Sequence, residues 1–394
     1  MILEAKKMEK KIPKKIILLV ILISVISVSL CGCWNYRDLE KMLLVSGFAI
    51  DKNEAGDKYL LTIEVIDYEM SGVQAKQSAK QIQSEGKTIF EAIRNVINII
   101  GRRLYWAHAN MVIISEDIAK EGINPTLDFI ARDAELRSEM YVLISKEKTA
   151  RDVLLQQMLI SQTSSDNIEN MLVEQKDIGD APDVHVYDFM ENLHLAGSII
   201  PAVQLMENMG IKTATLAGTA VFKGDKLVGY LNLTDSKFLI FTRNEIKKGL
   251  ITVNENPENK VDNITLEIFK SKTKIKPSYT NNRLTMNIDI STEVSIAEMA
   301  TSIDFSDKKN IGKLKKDAED KVKSSVESIV KKVQQEYGID IFKFDKIIKA
   351  EEPKLWKQIE PDWDNVFKEL NCNVNVNIKI RNCGFSSKAI KEGA

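Results

Sequence analysis

Histidine is scarce in this chain, with three in 394 residues, His108, His185 and His194. No Cys/His or His-Glu-x-x-His spacing accompanies them, so the usual metal-binding patterns are missing. No Gly-x-Ser-x-Gly, P-loop, dinucleotide fingerprint or calcium loop occurs. Basic residues are not in excess: 55 Lys+Arg stand against 56 Asp+Glu. That balance leaves no electrostatic footprint for nucleic acid. Long Gly, Ser or Pro tracts are absent, which confines expected disorder to a tether and short linkers. No uninterrupted apolar run reaches the roughly 20 residues that span a bilayer. The chain therefore reads as noncatalytic, with no cofactor and no metal.

What is present begins at the N-terminus. Six lysines up to Lys15 precede a 15-residue apolar stretch, Ile16 to Leu30, broken only by serines. A basic segment followed by a short apolar one is the pattern of a secretory signal. Leu30-Cys31-Gly32-Cys33 closes it and resembles the bacterial lipobox. That resemblance implies cleavage after residue 32, a diacylglyceryl group on Cys33, and tethering to the outer face of a membrane. Two acyl chains on one cysteine hold a protein far longer than one, because each buried methylene adds about 0.8 kcal/mol. The leader holds six Lys and two acids (Glu4, Glu9). Residues 33–394 thus keep 49 basic against 54 acidic side chains.

Cys372 and Cys383 are the other two cysteines. Eleven residues of extended chain span about 36 Å, whereas a disulfide needs Cα atoms within about 7 Å. Both are read as reduced, with Cys372 on an apolar face; a bridge across a bend stays open.

Strands and helices alternate through the first part. Leu43 to Asp51 reads as a buried strand and Tyr59 to Ile66 as its hairpin partner. Residues 71–85 are polar and read as a loop. Residues 88–100 have a helical apolar spacing, with Thr88 as N-cap, Glu91 three positions on and Gly101 as stop. Met111 to Ser115 and Tyr141 to Ser145 read as strands, with a helix over residues 123–132 between them. Residues 149–210 read as mainly helical: 150–159, 165–174, 186–195 and 199–204. From Thr215 a hairpin turns at Gly224-Asp225. Farther on, Ile264, Leu266 and Ile268, and then Leu284, Met286, Ile288 and Ile290, alternate with polar residues as half-buried strands. Residues 307–337 form an amphipathic helix of roughly 45 Å. Its stripe is aliphatic and its other face mixes acids with lysines, which favours packing over membrane binding. A helical stretch over residues 345–359 is interrupted by Pro353. Cys372 to Ile380 closes the series with strict period-two alternation. The fold class expected is α+β: a multi-domain arrangement of mixed sheets with packed helices, the long amphipathic helix lying in the C-terminal domain.

Four stretches carry a resemblance. They are Gly32-Cys33-Trp34 with Arg37-Asp38-Leu39-Glu40; Tyr105-Trp106-Ala107-His108-Ala109 running into Met111 to Ser115, followed by Leu127 to Asp133 and Leu136-Arg137; Leu216 to Gly229; and Pro353-Lys354-Leu355-Trp356-Lys357 with Trp363-Asp364 and Phe367. Together they resemble the Ger(x)C family, the lipoprotein subunits of spore germinant receptors. Asn35 and Ala107 depart from that family's pattern. The resemblance implies a noncatalytic receptor subunit, needed for assembly or signal coupling in spore germination. It implies an A-type subunit and a B-type, multi-spanning subunit as partners, and membrane lipid held through Cys33. It places the protein on the outer face of the spore inner membrane. The alternative is a germinant-binding surface lipoprotein of the solute-binding type, although no internal duplication is visible. The domains expected are a signal peptide over 1–32, an N-terminal region over 33–205 with a possible division near 150, and a C-terminal region over 206–394.

Residue by residue, these motifs read as mostly structural. Trp34 and Tyr36 either sit at the membrane interface or rest on the domain. His108 reads as a hydrogen-bonded structural histidine. Asp128, Arg132, Asp133 and Arg137 read as an internal salt-bridge network. Trp356 and Trp363, seven apart, read as core residues on one helix face.

Overall fold

The computed structural model describes residues 14–19, 42–71, 74–157, 163–254, 263–299, 305 and 307–381. Cys33, with Trp34, Tyr36 and Cys383, lies outside the described residues. Residues 14–19 are helical, and no described helix is long and apolar enough to cross a membrane. The described residues from 43 onward form one compact unit.

The first half builds a nine-stranded sheet. β1 (Met42–Lys52), β2 (Tyr59–Ser71) and β3 (Gln74–Gly86) form an antiparallel meander. Helix α1 (Ile89–Ile100) follows, capped by the Thr88 hydroxyl and closed by Gly101 at φ 65°. β4 (Arg103–Tyr105) leads to β5 (Met111–Ile114), then α2 (Glu116–Glu121), α3 (Asn124–Arg132) and β6 (Tyr141–Ser145). Helices α4 (Ala150–Leu154), α5 (Ser164–Ile178) and α6 (Val186–Asn192) precede β7 (Ser198–Asn208), β8 (Ile211–Lys223) and β9 (Lys226–Leu231). Strand order is β3-β2-β1-β5-β6-β7-β8-β9, with β4 beside β1. The central pairs β1–β5, β5–β6 and β6–β7 are parallel. Val112 and Ile114 of β5 face one core, Met111 and Ile113 the other. Burial on both faces explains why the central strands read as continuous apolar runs.

The second half begins with α7 (Leu233–Thr242). It continues through β10 (Gly249–Asn254), β11 (Asn263–Thr280) and β12 (Arg283–Met299) to α8 (Lys308–Glu336). Three short helices follow, α9 (Phe344–Glu351), α10 (Pro353–Ile359) and α11 (Trp363–Lys368), then β13 (Asn371–Ile380). The four strands order as β10-β11-β12-β13, with only β12–β13 parallel. The buried stripe of α8, from Leu314 to Val333, packs into the same core as Ile264, Leu266, Ile288 and Val374 of this sheet. Ile199, Val221 and Leu231 of the large sheet belong to that core too. The result is the expected α+β arrangement of two mixed sheets with packed helices.

Several local expectations are corrected. Within the expected loop over 71–85, Ser71 and residues 74–85 are strand: β3 pairs with β2 from Tyr59↔Gly86 to Ser71↔Gln74. Its sequence carries almost no apolar alternation because it is an edge strand. Residues 199–204 are strand, not helix; a short apolar run has no period that separates the two. Pro201 is tolerated there because the β7–β8 register shifts between Pro201 and Val203. The helix expected over 150–159 ends at Leu154. The β-unit expected from Thr215 already begins at Ile211.

Candidate functional sites

The residues singled out in the sequence do not converge. Trp106 is buried in a single 3-10 turn and meets Phe48 edge-on at 5.2 Å. His108, at the end of that turn, is exposed rather than held in a structural hydrogen bond. The expected salt-bridge network reduces to one exposed pair, Arg132 Nε to Asp128 at 2.8 Å. Asp133 instead accepts from the Glu135 backbone N–H. Trp356 and Trp363 are buried as expected but sit on separate helices, α10 and α11, with rings T-shaped at 5.3 Å.

Gly218 explains part of the third motif. Its φ is 97°, and a Cβ there would collide with the Leu231 carbonyl. Only glycine allows β8 and the β9–α7 junction to approach so closely. At the tip of the hairpin, Lys223 pairs with Lys226 across Gly224-Asp225.

The residues that sequence reasoning missed are buried acids. Glu64 on β2 is fully buried. Its carboxylate accepts from the Ser164 and Ser165 backbone N–H groups at 2.9 Å each, from Ser165 Oγ at 2.6 Å and from Ser46 Oγ at 3.0 Å. The two amides are the first of α5 and lack helical partners. The negative charge also opposes the positive helix end. Gly47 makes room, since a Cβ there would collide with the Ser165 hydroxyl. Asp51, at the end of β1, does the same for α4, accepting from Ala150 N at 2.7 Å and Arg151 N at 3.0 Å. Burial pushes its carboxyl up to about 6 against those amides. A lone acid inside an apolar strand was the available signal for both.

A third acidic site joins distant segments. Asp340 accepts from Phe342 N at 2.9 Å and Asp345 N at 2.8 Å. Asp345 accepts from Ala196 N at 3.1 Å, just before β7. Burial, with Asp345 nearby, holds the Asp340 carboxyl well above the usual range. Close by, Arg243 donates to Glu245 at 2.9 Å and to the Ile341 carbonyl at 2.9 Å, while Lys343 reaches Glu245 at 3.0 Å. Burial works against ionisation of Glu245, but Arg243 and Lys343 outweigh it and keep its carboxyl low.

Two of the grooves formed by the described residues are the most spacious. One, of about 570 Å³, lies between the start of α1 and the outer face of α3, with Ile89, Phe90, Phe129, Arg132 and Tyr59 along it. The other, of about 520 Å³, runs between the end of α5 and the α7–β10 connection, past Tyr141, Lys176, Asn244 and Lys248. Neither gathers a nucleophile with a base. Among the described residues no group of three or more His, Cys, Asp or Glu could hold a metal ion.

This two-sheet α+β chain has known relatives. Residues 35–207 match the family model described as spore germination protein N-terminal domain, and residues 217–384 match spore germination B3/GerAC like, C-terminal. The chain belongs to the Ger(x)C family. It is 27% identical over 376 residues to spore germination protein B3 of Bacillus subtilis (strain 168), covering 91% of this chain and 96% of that one. To spore germination protein KC of the same organism it is 25% identical over 400 residues, covering 95% and 97%. The crystal structure of the GerBC protein has the same fold, with a TM-score of 0.55 at 23% identity, over 85% of this chain and 97% of that one.

Proposed function

We propose that this protein is the noncatalytic, lipid-anchored C subunit of a spore nutrient-germinant receptor. The observation that carries the reading is the pairing of a Leu30-Cys31-Gly32-Cys33 leader with both family regions in order behind it. Cys33 carries the acyl chains, and the body faces outward from the spore inner membrane. Its partners are the A-type and B-type membrane subunits. It acts by assembly or signal coupling: a ligand elsewhere in the complex shifts the balance only if it distinguishes two arrangements of the subunits. The core shared by both halves supports this role over that of a hinged, two-lobed solute binder.

The test is nutrient-triggered germination of spores lacking the gene, complemented with wild type or Cys33→Ala and followed by dipicolinic acid release. The reading expects loss of the response to one nutrient class, restoration by wild type and a weakened response with Cys33→Ala. A deletion strain that responds normally to every nutrient, in a background cleared of paralogues, refutes it.

A further inference from the structure

The small sheet has one face on α8, and among the described residues nothing covers the other. Along β11 the inward positions are Thr273 and Ile275, and the outward ones are Lys272, Lys274 and Lys276, all exposed. Lys270, also exposed, extends the row beyond the β11 bulge. Alternate residues of a strand are about 6.7 Å apart, so the four lysines span roughly 20 Å. None of them forms an ion pair among the described residues. β10 pairs only with Asn263 to Ile268, so this stretch of β11 has no strand outside it.

The rows beside the lysines are nearly neutral. Lys272, Lys274 and Lys276 stand opposite Ser291, Asp289 and Asn287 of β12. Those in turn stand opposite Asn377, Asn375 and Asn373 of β13. The acids on these rows are already engaged: Asp289 accepts from Asn375 Nδ2 at 3.0 Å, and Glu293 is paired with Arg381. The result is a flat, polar face with a cationic row, on a body whose overall charge is negative. The three facing rows are polar, and Phe269, half-exposed at the bulge next to Lys270, is an aromatic side chain at their edge.

We infer that this open face of the β11–β12–β13 sheet is an electrostatic footing for an anionic phospholipid surface. Charge complementarity selects the partner, and the tether makes the contact frequent. The inference rests on the proposed acylation of Cys33: eight residues separate it from Met42, at most about 30 Å of chain. A lysine near an anionic bilayer gains about fivefold in binding, through an attraction that falls off within a Debye length. The footing would fix which side of the body faces the bilayer.

The test uses residues 34–394 without the lipid; the described cores lie wholly within the compact unit from residue 43 onward. Sedimentation is measured with vesicles of phosphatidylcholine alone and with 30% phosphatidylglycerol, at about 50 mM and 500 mM salt. Binding is expected only to the anionic vesicles and only at low salt. Lys272→Ala, Lys274→Ala and Lys276→Ala together should lower the partition coefficient by about a hundredfold. A control removing three α8 lysines (Lys313, Lys316 and Lys323→Ala) changes net charge equally and should leave binding within about twofold, with circular dichroism confirming both folds. Equal loss in the control, no effect of the sheet variant, or no binding by wild type overturns the inference. Retention on a soluble polyanion such as polyglutamate without vesicle binding would also overturn it, in favour of an acidic polymer. Acylation of Cys33 is read separately by mass spectrometry of the membrane-extracted protein, so failure of the tether and failure of the footing are distinguishable.

Discussion

Glu64→Ala should release the start of α5 from the large sheet. The substitution removes the acceptor of four hydrogen bonds. The two serine hydroxyls can turn elsewhere, and Ser46 Oγ already reaches the Glu64 carbonyl at 3.3 Å. The Ser164 and Ser165 amides cannot turn. An orphaned buried amide costs about 1–3 kcal/mol, so the pair costs about 4. Converted at about 1.4 kcal/mol per tenfold, local opening of α5 should rise about a thousandfold. Glu64→Gln keeps one acceptor and should cost about 2 kcal/mol, because its amide NH₂ then faces a backbone donor. Hydrogen exchange followed by mass spectrometry of peptides covering residues 163–178 reads the effect directly. Protection should fall there first, in the order Ala before Gln, while peptides covering α8 stay protected. Unchanged exchange over α5, or loss spread evenly through the protein, would refute the clamp. A double-mutant cycle with Ser165→Ala adds a second check: additive effects within about 0.3 kcal/mol would mean the two residues do not interact.

Asp51 gives a dependence on pH. Its native carboxyl is pushed up to about 6, whereas unfolded Asp titrates near 3.9. The native state therefore binds a proton that the unfolded state does not over that window. Asp51 should add stability as pH falls from about 6 to 4 and nothing above that range, by at most about 3 kcal/mol. Urea unfolding of wild type minus Asp51→Asn should show that increment, and a flat difference contradicts it. Gly218→Ala should lower thermal stability markedly, by about 2 kcal/mol or more, because φ is 97° and the Leu231 carbonyl is in the way. Gly224→Asn, at φ 57° with open space around it, should be nearly neutral by the same thermal melt. Burial pushes the Cys372 thiol up to about 12. In residues 34–394 with Cys383 replaced by serine, its reaction with a colorimetric disulfide at pH 8 should be at least about a hundredfold slower than in urea.

The parts of the fold legible in the sequence were those with a strong period or a complete cap. Helix α1 announced itself by Thr88, Glu91 and Gly101, and α8 by its aliphatic stripe. The β8–β9 hairpin followed from Gly224-Asp225, and β13 from its alternation. β3 was hidden because its pairing is made by backbone groups, which any polar sequence supplies. β7 was hidden because burial on both faces erases the two-residue period. The clamps were the hardest to see. Glu64 and Ser164 are 100 residues apart, and only the tertiary arrangement turns an out-of-place acid into a helix cap.

One core holds Ile199, Val221 and Leu231 together with the second sheet and the buried side of α8. β7 itself runs across residue 205 and is paired with β8 on both sides of it. The two halves are therefore not interchangeable modules. A chimera that joins the first half of this chain to the second half of a relative has to satisfy that one core, so wherever the relative's side chains differ in volume at the seam it is expected to leave cavities or overlaps there.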